Sequence, residues 1–305
     1  MTYDLFCLGG SAVDLMLRVP RLPLLDEKLE TAFAGCLPGG LVANTACAAT
    51  RLGLQVGWSG YLGDDDFGRL VLEDFARFGV DSRYAVSVQG TNSDFTVILL
   101  TPGGERTILI VSNFSEPPLT ADILKALSLS RLGYTLPRAP NWFERFSRAV
   151  HSGGGQVIVD VEGSCPVKGA DLDAALRNSD VAFFSRDGLK LATGSDSLEA
   201  GVRKLLEIGI HAVVVTLGAS GAVAATRDEF CQHPAFQVPV VDTTGAGDCF
   251  HAAFLVGWLE NWELRRCLRF ASAAAALSVQ ALGARGGLPD RAVVERFLTQ
   301  QGEEV

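Results

Sequence analysis

Short apolar segments alternate with longer amphipathic segments along this chain, and this alternation restricts the folds that the sequence can adopt. A strand is predicted at Tyr3–Leu8 and a helix at Ala43–Leu52, followed by a strand at Gln55–Ser59 and a helix at Phe67–Phe78. Apolar residues recur at every second position in strands and at every third or fourth position in helices. Strands that alternate with helices form a mostly parallel sheet with helices on both faces.

The same alternation resumes after Leu119. The predicted helices are Ala121–Leu127, Asn141–Ser152 and Ser197–Leu206, and the predicted strands are Gln156–Val161, Val181–Phe184 and Ala212–Thr216. The sequence shows neither an internal repeat nor a linker rich in Pro, Ser or charged residues. We therefore predict an α/β fold in one domain that spans residues 1–305.

Two segments depart from this alternation. Leu15–Phe33 contains two prolines, and Phe95–Val111 has two β-rich runs around Thr101–Glu105, which is a turn sequence. We predict that residues 15–33 and 95–111 together form a small β-lid. Because an open sheet edge favours pairing with another chain, this lid is also the predicted interface of a homodimer.

The charge distribution argues against several classes of partner. The formal net charge is −9, and a nucleic-acid surface needs clustered Lys and Arg, so no nucleic-acid partner is expected. Glycines and polar residues interrupt the two long uncharged windows, residues 31–50 and 208–226, and no basic segment precedes the first apolar run. The seven cysteines include no Cys-x-x-Cys pair, which is typical of reduced thiols. We predict a cytoplasmic protein without membrane contact.

The segment with the clearest chemistry is Val241-Asp-Thr-Thr-Gly-Ala-Gly-Asp-Cys-Phe250, which precedes an apolar helical pattern. Gly245 and Gly247 leave backbone N–H groups unobstructed where the helix begins, and such N–H groups bind anions. Asp248 would lie in the first helical turn, where its carboxylate can accept a proton from an attacking hydroxyl. An isolated Gly-x-Gly-Asp is equally compatible with a glycine turn whose aspartate caps a helix.

The whole string, Asp242-Thr-Thr-Gly-Ala-Gly-Asp248, resembles the C-terminal signature of the ribokinase/PfkB sugar kinases. The resemblance implies a ribokinase-like domain that binds ATP and Mg²⁺ and phosphorylates a hydroxyl of a small sugar. It assigns Asp248 as the catalytic base, with Gly245, Ala246 and Gly247 as the catalytic anion loop.

Two further motifs extend the resemblance over nearly the whole chain. Gly39, Gly40 and Asn44 match the Gly-Gly-x-x-x-Asn sugar-binding turn of the family, and Asp14 matches an aspartate that binds sugar hydroxyls. Paired glycines let the backbone approach a ligand, and an asparagine offers both a donor and an acceptor. In a late loop, a set of three residues matches the nucleotide-binding motif of the family: Thr216, Gly218 and Gly221.

The sequence departs from the family at two cation-binding motifs. Ser185-Arg-Asp-Gly188 replaces the usual Asn-x-x-Glu, so Mg²⁺ is expected to be bound largely through nucleotide phosphates and water. Asp242 and Thr244 match residues that bind a monovalent cation, together with backbone near Ser278, Ala281 and Gly283. Because Gly287 replaces a frequent serine of the family, activation by K⁺ stays open.

The proposed substrate region contains two cations, Arg138 and Lys28. Arg138 stands about where ribokinase has a glutamate that binds neutral ribose, and a guanidinium instead matches carboxylate, phosphate or sulfonate oxygens. The C-terminal third resembles most the sulfofructose kinase and ketohexokinase-like members, so an anionic ketose such as sulfofructose is one expected substrate. Alternatively, both cations are solvated surface residues.

Two other functions remain compatible with the sequence. One is a nucleoside kinase of the same fold, and the other is a sugar or nucleotide sensor without catalysis. The complete Asp248 loop favours an enzyme, whereas the missing Asn-x-x-Glu motif favours a sensor.

Overall fold

Strands and helices alternate along the chain as the apolar pattern predicts. The computed structural model describes residues 2–103 and 106–303. The strands are β1 (Tyr3–Leu8), β2 (Ala12–Arg18), β3 (Ala32–Gly39), β4 (Val56–Ser59), β5 (Tyr61–Gly63), β6 (Val86–Val88), β7 (Phe95–Leu100), β8 (Arg106–Val111), β9 (Ser130–Thr135), β10 (Gln156–Val161), β11 (Val181–Ser185), β12 (Ala212–Thr216), β13 (Ala222–Ala225) and β14 (Phe230–His233). The helices are α1 (Leu41–Arg51), α2 (Asp66–Phe78), α3 (Ala121–Ser128), α4 (Pro140–Ser152), α5 (Gly169–Arg177), α6 (Arg186–Thr193), α7 (Leu198–Glu207), α8 (Ala246–Leu259), α9 (Leu264–Ser278) and α10 (Arg291–Gln300).

The central sheet has eight strands in the order β14-β13-β12-β11-β10-β9-β1-β4. The six strands from β12 to β4 are parallel, and β13 and β14 add an antiparallel edge. Val213, Val214 and Val215 in β12 are fully buried because helices cover both faces of the sheet. The predicted mostly parallel sheet is therefore confirmed.

The helices form two layers, each packed on one face of the central sheet. One hydrophobic core includes residues of α1, α2, α8 and α9, and the other includes residues of α3, α4, α5 and α7. Helix α8 is apolar around most of its circumference and is buried over nearly its whole length, as expected for a helix inside a core. Among the helices of the described residues, none is long and apolar enough to cross a membrane.

A separate four-stranded sheet has the order β3-β2-β7-β8. The predicted lid segments contribute β2, β7 and β8, but β2 begins earlier, at Ala12, and β3 extends to Gly39. Residues 19–31, which the lid prediction included, form a connection without strands that is mostly exposed, apart from the buried Val19. In the predicted turn Thr101–Glu105, Gly104 and Glu105 lie outside the described residues. Apolar side chains of this sheet are exposed at Phe33 and Ile110, each 70% accessible.

Candidate active site

Helix α8 begins at the glycine-rich loop that the sequence singles out. Gly245 occupies the N-cap position with φ 75°, a left-handed conformation that favours glycine. A Cβ at this position would lie 2.7 Å from the Cβ of Ala284, so the loop also lacks space for a side chain. The backbone N–H groups of the first turn point away from the N-terminal end of the helix, and the glycine adds no side chain that would cover them. This is the geometry of an anion site.

Asp248 lies in the first turn of α8 and is 3% exposed. Its Oδ2 accepts a hydrogen bond from the side-chain amide of Asn44, at 2.8 Å. Burial raises the pKa of Asp248 to about 7, while the bond from Asn44 opposes this rise. A carboxyl group with a pKa near neutrality is well matched to general-base catalysis at cellular pH.

Asn44 is itself held by Arg285, a residue that the sequence interpretation did not single out. Arg285 donates from Nε to Asn44 Oδ1 at 2.9 Å and from Nη2 to the Gly39 carbonyl at 2.8 Å. Its Nη1 binds Asp74 on α2, so the buried guanidinium is paired. The sequence feature that could have pointed to Arg285 is that it is the single arginine in the glycine-rich segment 283–289. Arg285 orients the amide that contacts Asp248.

The predicted sugar-binding residues lie together at the junction of the two sheets. Asp14 is on β2, nearly buried, and its Oδ1 accepts a hydrogen bond from Thr96 at 2.6 Å. A side chain at Gly39 would overlap the Asp14 carboxylate, and Gly40 is the N-cap residue of α1, which carries Asn44. The structure therefore brings Asp14, Gly39 and Asn44 to the side of Asp248.

A cavity of about 390 Å³ opens at the carboxyl ends of β1, β9 and β10. Its wall includes residues that directly follow or end these strands, a common location of ligand sites in parallel sheets. The polar and glycine residues that matter here are Gly9, Gly10, Asp94, Arg138, Asp160 and Glu162.

Arg138 contributes a largely buried guanidinium to this cavity. Its Nη1 donates to the Ser115 carbonyl at 3.3 Å, whereas its Nε finds no hydrogen-bond partner in the described part of the chain. Within residues 2–103 and 106–303, it forms no ion pair with a carboxylate. Burial lowers the pKa of Arg138, although the charges of Glu116 and Asp94 act in the opposite direction. The cation therefore has unused donor capacity inside the cavity.

Lys28, the second predicted substrate cation, lies elsewhere. It is exposed on the connection between β2 and β3, and it does not belong to the cavity wall. Pro20 and Pro23 keep this connection out of the sheet because proline cannot donate to a strand ladder. A role for Lys28 requires movement of the connection and stays a prediction.

The predicted nucleotide motif and the anion loop line a second cavity, of about 360 Å³. Thr216 ends β12, and Gly218 and Gly221 follow it, while Ala246 and Gly247 form the opposite side. The remaining wall is mostly apolar, which suits the aromatic base of a nucleotide. It includes Val238, Val240, Phe250, Ala275, Ala276 and Val279.

A buried polar cluster behind Asp248 was not anticipated as part of the site. One carboxylate oxygen each of Asp160 and Asp248 and one ring nitrogen of His251 lie within 4.8 Å of one another. His251 Nδ1 is also 3.2 Å from the Tyr134 hydroxyl. Burial lowers the pKa of His251 to about 3 and raises that of Asp160. Asp160 Oδ1 has no hydrogen-bond partner among the residues that the structure describes. The signal missed was the position of Asp160 near the end of a buried strand.

The segment that replaces Asn-x-x-Glu has a structural role. Ser185 caps α6 by accepting a hydrogen bond from the Gly188 N–H at 3.1 Å. A side chain at Gly188 would overlap the carbonyl of Val161. A glutamate cannot occupy this position without a shift of β10, so the altered motif matches the local packing.

Comparisons with known proteins agree with this geometry. Residues 3–291 match the model of the pfkB family carbohydrate kinases. The chain is 31% identical to ribokinase of Arabidopsis thaliana over 96% of this chain and 80% of the relative. It is 30% identical to ribokinase of Bacillus subtilis over 96% of this chain and 98% of the relative.

A solved structure of Arabidopsis thaliana ribokinase complexed with ribose and ATP is similar to this fold, with a TM-score of 0.86 and 29% identity. The similarity covers 98% of this chain and 99% of that chain. The family match, the relatives and the arrangement of residues around Asp248 lead to one conclusion. The chain belongs to the pfkB family of carbohydrate kinases, and it is an enzyme of the phosphotransferase class.

Proposed function

We propose that this protein transfers the γ-phosphoryl group of ATP to a hydroxyl of a small sugar, with Asp248 as the general base. The observation that carries the proposal is the position of Asp248. It lies in the first turn of α8, directly after the anion loop Gly245–Gly247, and accepts a hydrogen bond from Asn44, one of the proposed sugar-binding residues.

In the proposed reaction, the sugar hydroxyl lies against Asp248 and the triphosphate against the loop Gly245–Gly247. Asp248 accepts the hydroxyl proton as the sugar oxygen forms a bond to the γ-phosphorus. The bond from that phosphorus to the β–γ bridging oxygen breaks, and ADP leaves. The loop N–H groups stabilise the negative charge on the transferring group.

The second cavity is the proposed nucleotide site, with Thr216, Gly218 and Gly221 at one side and the anion loop at the other. Mg²⁺ would be held mainly by the phosphates, with the unpartnered Oδ1 of Asp160 as an available protein oxygen. The bound ion would neutralise phosphate charge. The residues present fit this arrangement because Asp160 is buried, lies next to Asp248 and borders the first cavity, of about 390 Å³, which is the proposed sugar cavity.

The four-stranded sheet is the proposed lid. It carries Asp14 on β2 and packs beside the sugar cavity, which Ile110 of β8 also borders. Closure would exclude water that otherwise hydrolyses ATP. The exposed Phe33 and Ile110 support a homodimer formed through this sheet.

The proposed acceptor is an anionic ketose, of which sulfofructose is one example. Arg138 supports this assignment because its half-buried side chain borders the cavity, forms no ion pair with a carboxylate of the described residues and has an Nε donor that is free among them. An anionic group of the substrate would complete its hydrogen bonds. A neutral sugar would leave the charge without a partner.

A screen of ATP turnover with neutral sugars, sugar acids, sulfonated sugars and nucleosides tests these assignments. Turnover of a sugar supports the kinase, turnover of nucleosides alone supports the nucleoside kinase, and binding without turnover supports a sensor. Arg138→Ala should then weaken binding of the anionic sugar by about 2–5 kcal/mol, which is measured as a higher KM. The KM for a neutral ketose should stay nearly unchanged. Arg148→Ala is the exposed control, because the side chain of Arg148 is 76% exposed on α4 and pairs only with a neighbouring residue of that helix, Glu144, among the described ion pairs. Equal loss for both sugars would contradict an anionic acceptor.

A further inference from the structure

One arginine of the four-stranded sheet reaches the anion loop. Arg106, the first residue of β8, donates from Nη1 to the Thr244 hydroxyl at 3.0 Å. The same nitrogen is 3.6 Å from Asp242 Oδ1, and the Asp242 side chain is only 10% exposed. Thr244 directly precedes Gly245, so this cation stands next to the loop that is proposed to bind phosphate.

Asp242 has little capacity left for another ligand. Its Oδ1 accepts hydrogen bonds from the backbone N–H and the hydroxyl of Thr244, at 2.9 and 2.7 Å. Its Oδ2 accepts a bond from the Gly283 N–H at 2.9 Å. A carboxylate accepts about four hydrogen bonds, and these contacts account for three. The positive charge of Arg106 balances the negative charge of Asp242. Although burial alone would raise it, these bonds and Arg106 hold the pKa of Asp242 below its usual value.

The backbone that the resemblance assigns to the same cation also departs from the family pattern, at Gly287. A side chain at Gly287 would overlap the carbonyl oxygen of Ser278, so the serine found here in many family members cannot be accommodated. The Ser278 carbonyl is one of the groups that the family resemblance assigns to a monovalent cation. Asp242 and this segment therefore do not fit the monovalent-cation site that the resemblance implies.

We propose that the guanidinium of Arg106 supplies the positive charge beside the anion loop, so that phosphoryl transfer does not depend on K⁺. The inference rests on the proposed function. Arg106 is a positioning residue in this scheme: it neutralises Asp242, which in turn orients Thr244 and the start of the loop. Because Arg106 belongs to the proposed lid, the charge beside the loop is complete only when that sheet stands over the site.

The first test compares the rate of the unaltered enzyme in KCl, NaCl and choline chloride at equal ionic strength. We expect kcat values within about twofold of one another. Arg106→Gln should lower kcat by roughly tenfold or more, and Arg106→Lys should recover part of the loss. Added K⁺ or guanidinium should raise the rate of Arg106→Gln at least threefold and leave the unaltered enzyme unchanged. Arg21→Gln is the matched control, because Arg21 pairs with Glu27 on the exposed connection of the same sheet.

A second test does not require turnover. The thermal midpoint of the unaltered protein should be the same in KCl and choline chloride, whereas that of Arg106→Gln should be higher in KCl. A K⁺-specific rise in the unaltered protein, or a K⁺ requirement of tenfold or more in its rate, would overturn the proposal while leaving the kinase intact. If no sugar is phosphorylated, the proposed function fails, and the thermal comparison alone decides the role of Arg106.

Discussion

The side-chain amide of Asn44 donates to Asp248 Oδ2 across 2.8 Å, although 204 residues separate the two in the chain. This bond joins the sugar-binding turn to the first turn of α8. A donor aimed at a carboxylate favours its ionised form. Asn44 is therefore expected to tune the proton affinity of the proposed base, in addition to its proposed role in binding the sugar.

The first prediction concerns the pH dependence of kcat/KM. Asp248 must be ionised to accept a proton, so kcat/KM should rise with pH and level off above its pKa of about 7. Asn44→Ala removes a bond that lowers this pKa and should shift the rise to higher pH. Thr50→Ala is the control, since Thr50 is also on α1 and its hydroxyl bonds only to the helix backbone at Ala46. An unchanged profile in Asn44→Ala would show that the bond does not tune Asp248.

The second prediction concerns catalysis. Asp248→Asn keeps the size of the side chain but removes the base, so kcat should fall by about a hundredfold or more. ATP affinity, measured by calorimetry, should stay within about threefold, because backbone groups form the anion loop. Near-normal turnover in this variant would exclude Asp248 as the base.

The same substitution should increase the stability of the protein, although it lowers kcat. The folded-state pKa of Asp248 is raised to about 7 from 3.8. Its protonated form therefore favours folding at low pH, and this contribution is lost as the pH rises through about 7. Asp248→Asn stays neutral, so in urea unfolding it should be more stable than the parent at pH 8.5, with a smaller difference at pH 5.5. A larger advantage at pH 5.5 would contradict this assignment.

A third substitution tests the buried ion pair behind Asn44. Arg285→Ala leaves Asp74 buried without its inner partner and should reduce the free energy of unfolding by about 3–5 kcal/mol. Arg77→Ala is a matched control, because Arg77 also pairs with Asp74 but its side chain is 69% exposed. Its cost should be about 0–1 kcal/mol. Denaturant unfolding measures both, and equal losses would show that Arg285 contributes no more than a surface ion pair.

The fifth prediction compares two glycines of the proposed nucleotide loop. Gly218 and Gly221 both have positive φ, 58° and 93°, but only a Cβ at Gly221 would overlap other backbone, at the His233 carbonyl. Gly218→Ala should therefore cost about 1–2 kcal/mol from its left-handed conformation. Gly221→Ala should cost more and also weaken ATP binding, as thermal unfolding and nucleotide titration would show. Equal effects would indicate that the backbone near His233 can relax.

Local patterns predicted much of the fold. The strands Tyr3–Leu8, Gln156–Val161 and Ala212–Thr216 have the predicted limits, because each is a buried apolar run between glycines or polar residues. The hairpin β13–β14 and helix α5 were not predicted. Alanines dominate β13, and α5 has only nine residues, so neither has a distinctive period.

The site was predictable where a motif is continuous in sequence and was missed where it depends on packing. Asp248 and its glycines follow one another, so this loop could be identified as a candidate anion site from the residues alone. Arg285 and Asp160 act through contacts that only the assembled sheets create. Lys28 shows the reverse limit, because charge alone does not indicate whether a side chain faces a cavity.

Because Asn44 and Asp248 are far apart along the chain, the ribosome adds them at different times. At about 5–20 residues per second, a ribosome needs roughly 10–40 seconds to proceed from one to the other. During that time the nascent protein already contains the groups proposed to hold sugar but lacks the carboxylate that would activate it. If Asp248 is the base, a product that ends before α8 should not turn over nucleotide even if its earlier strands have folded.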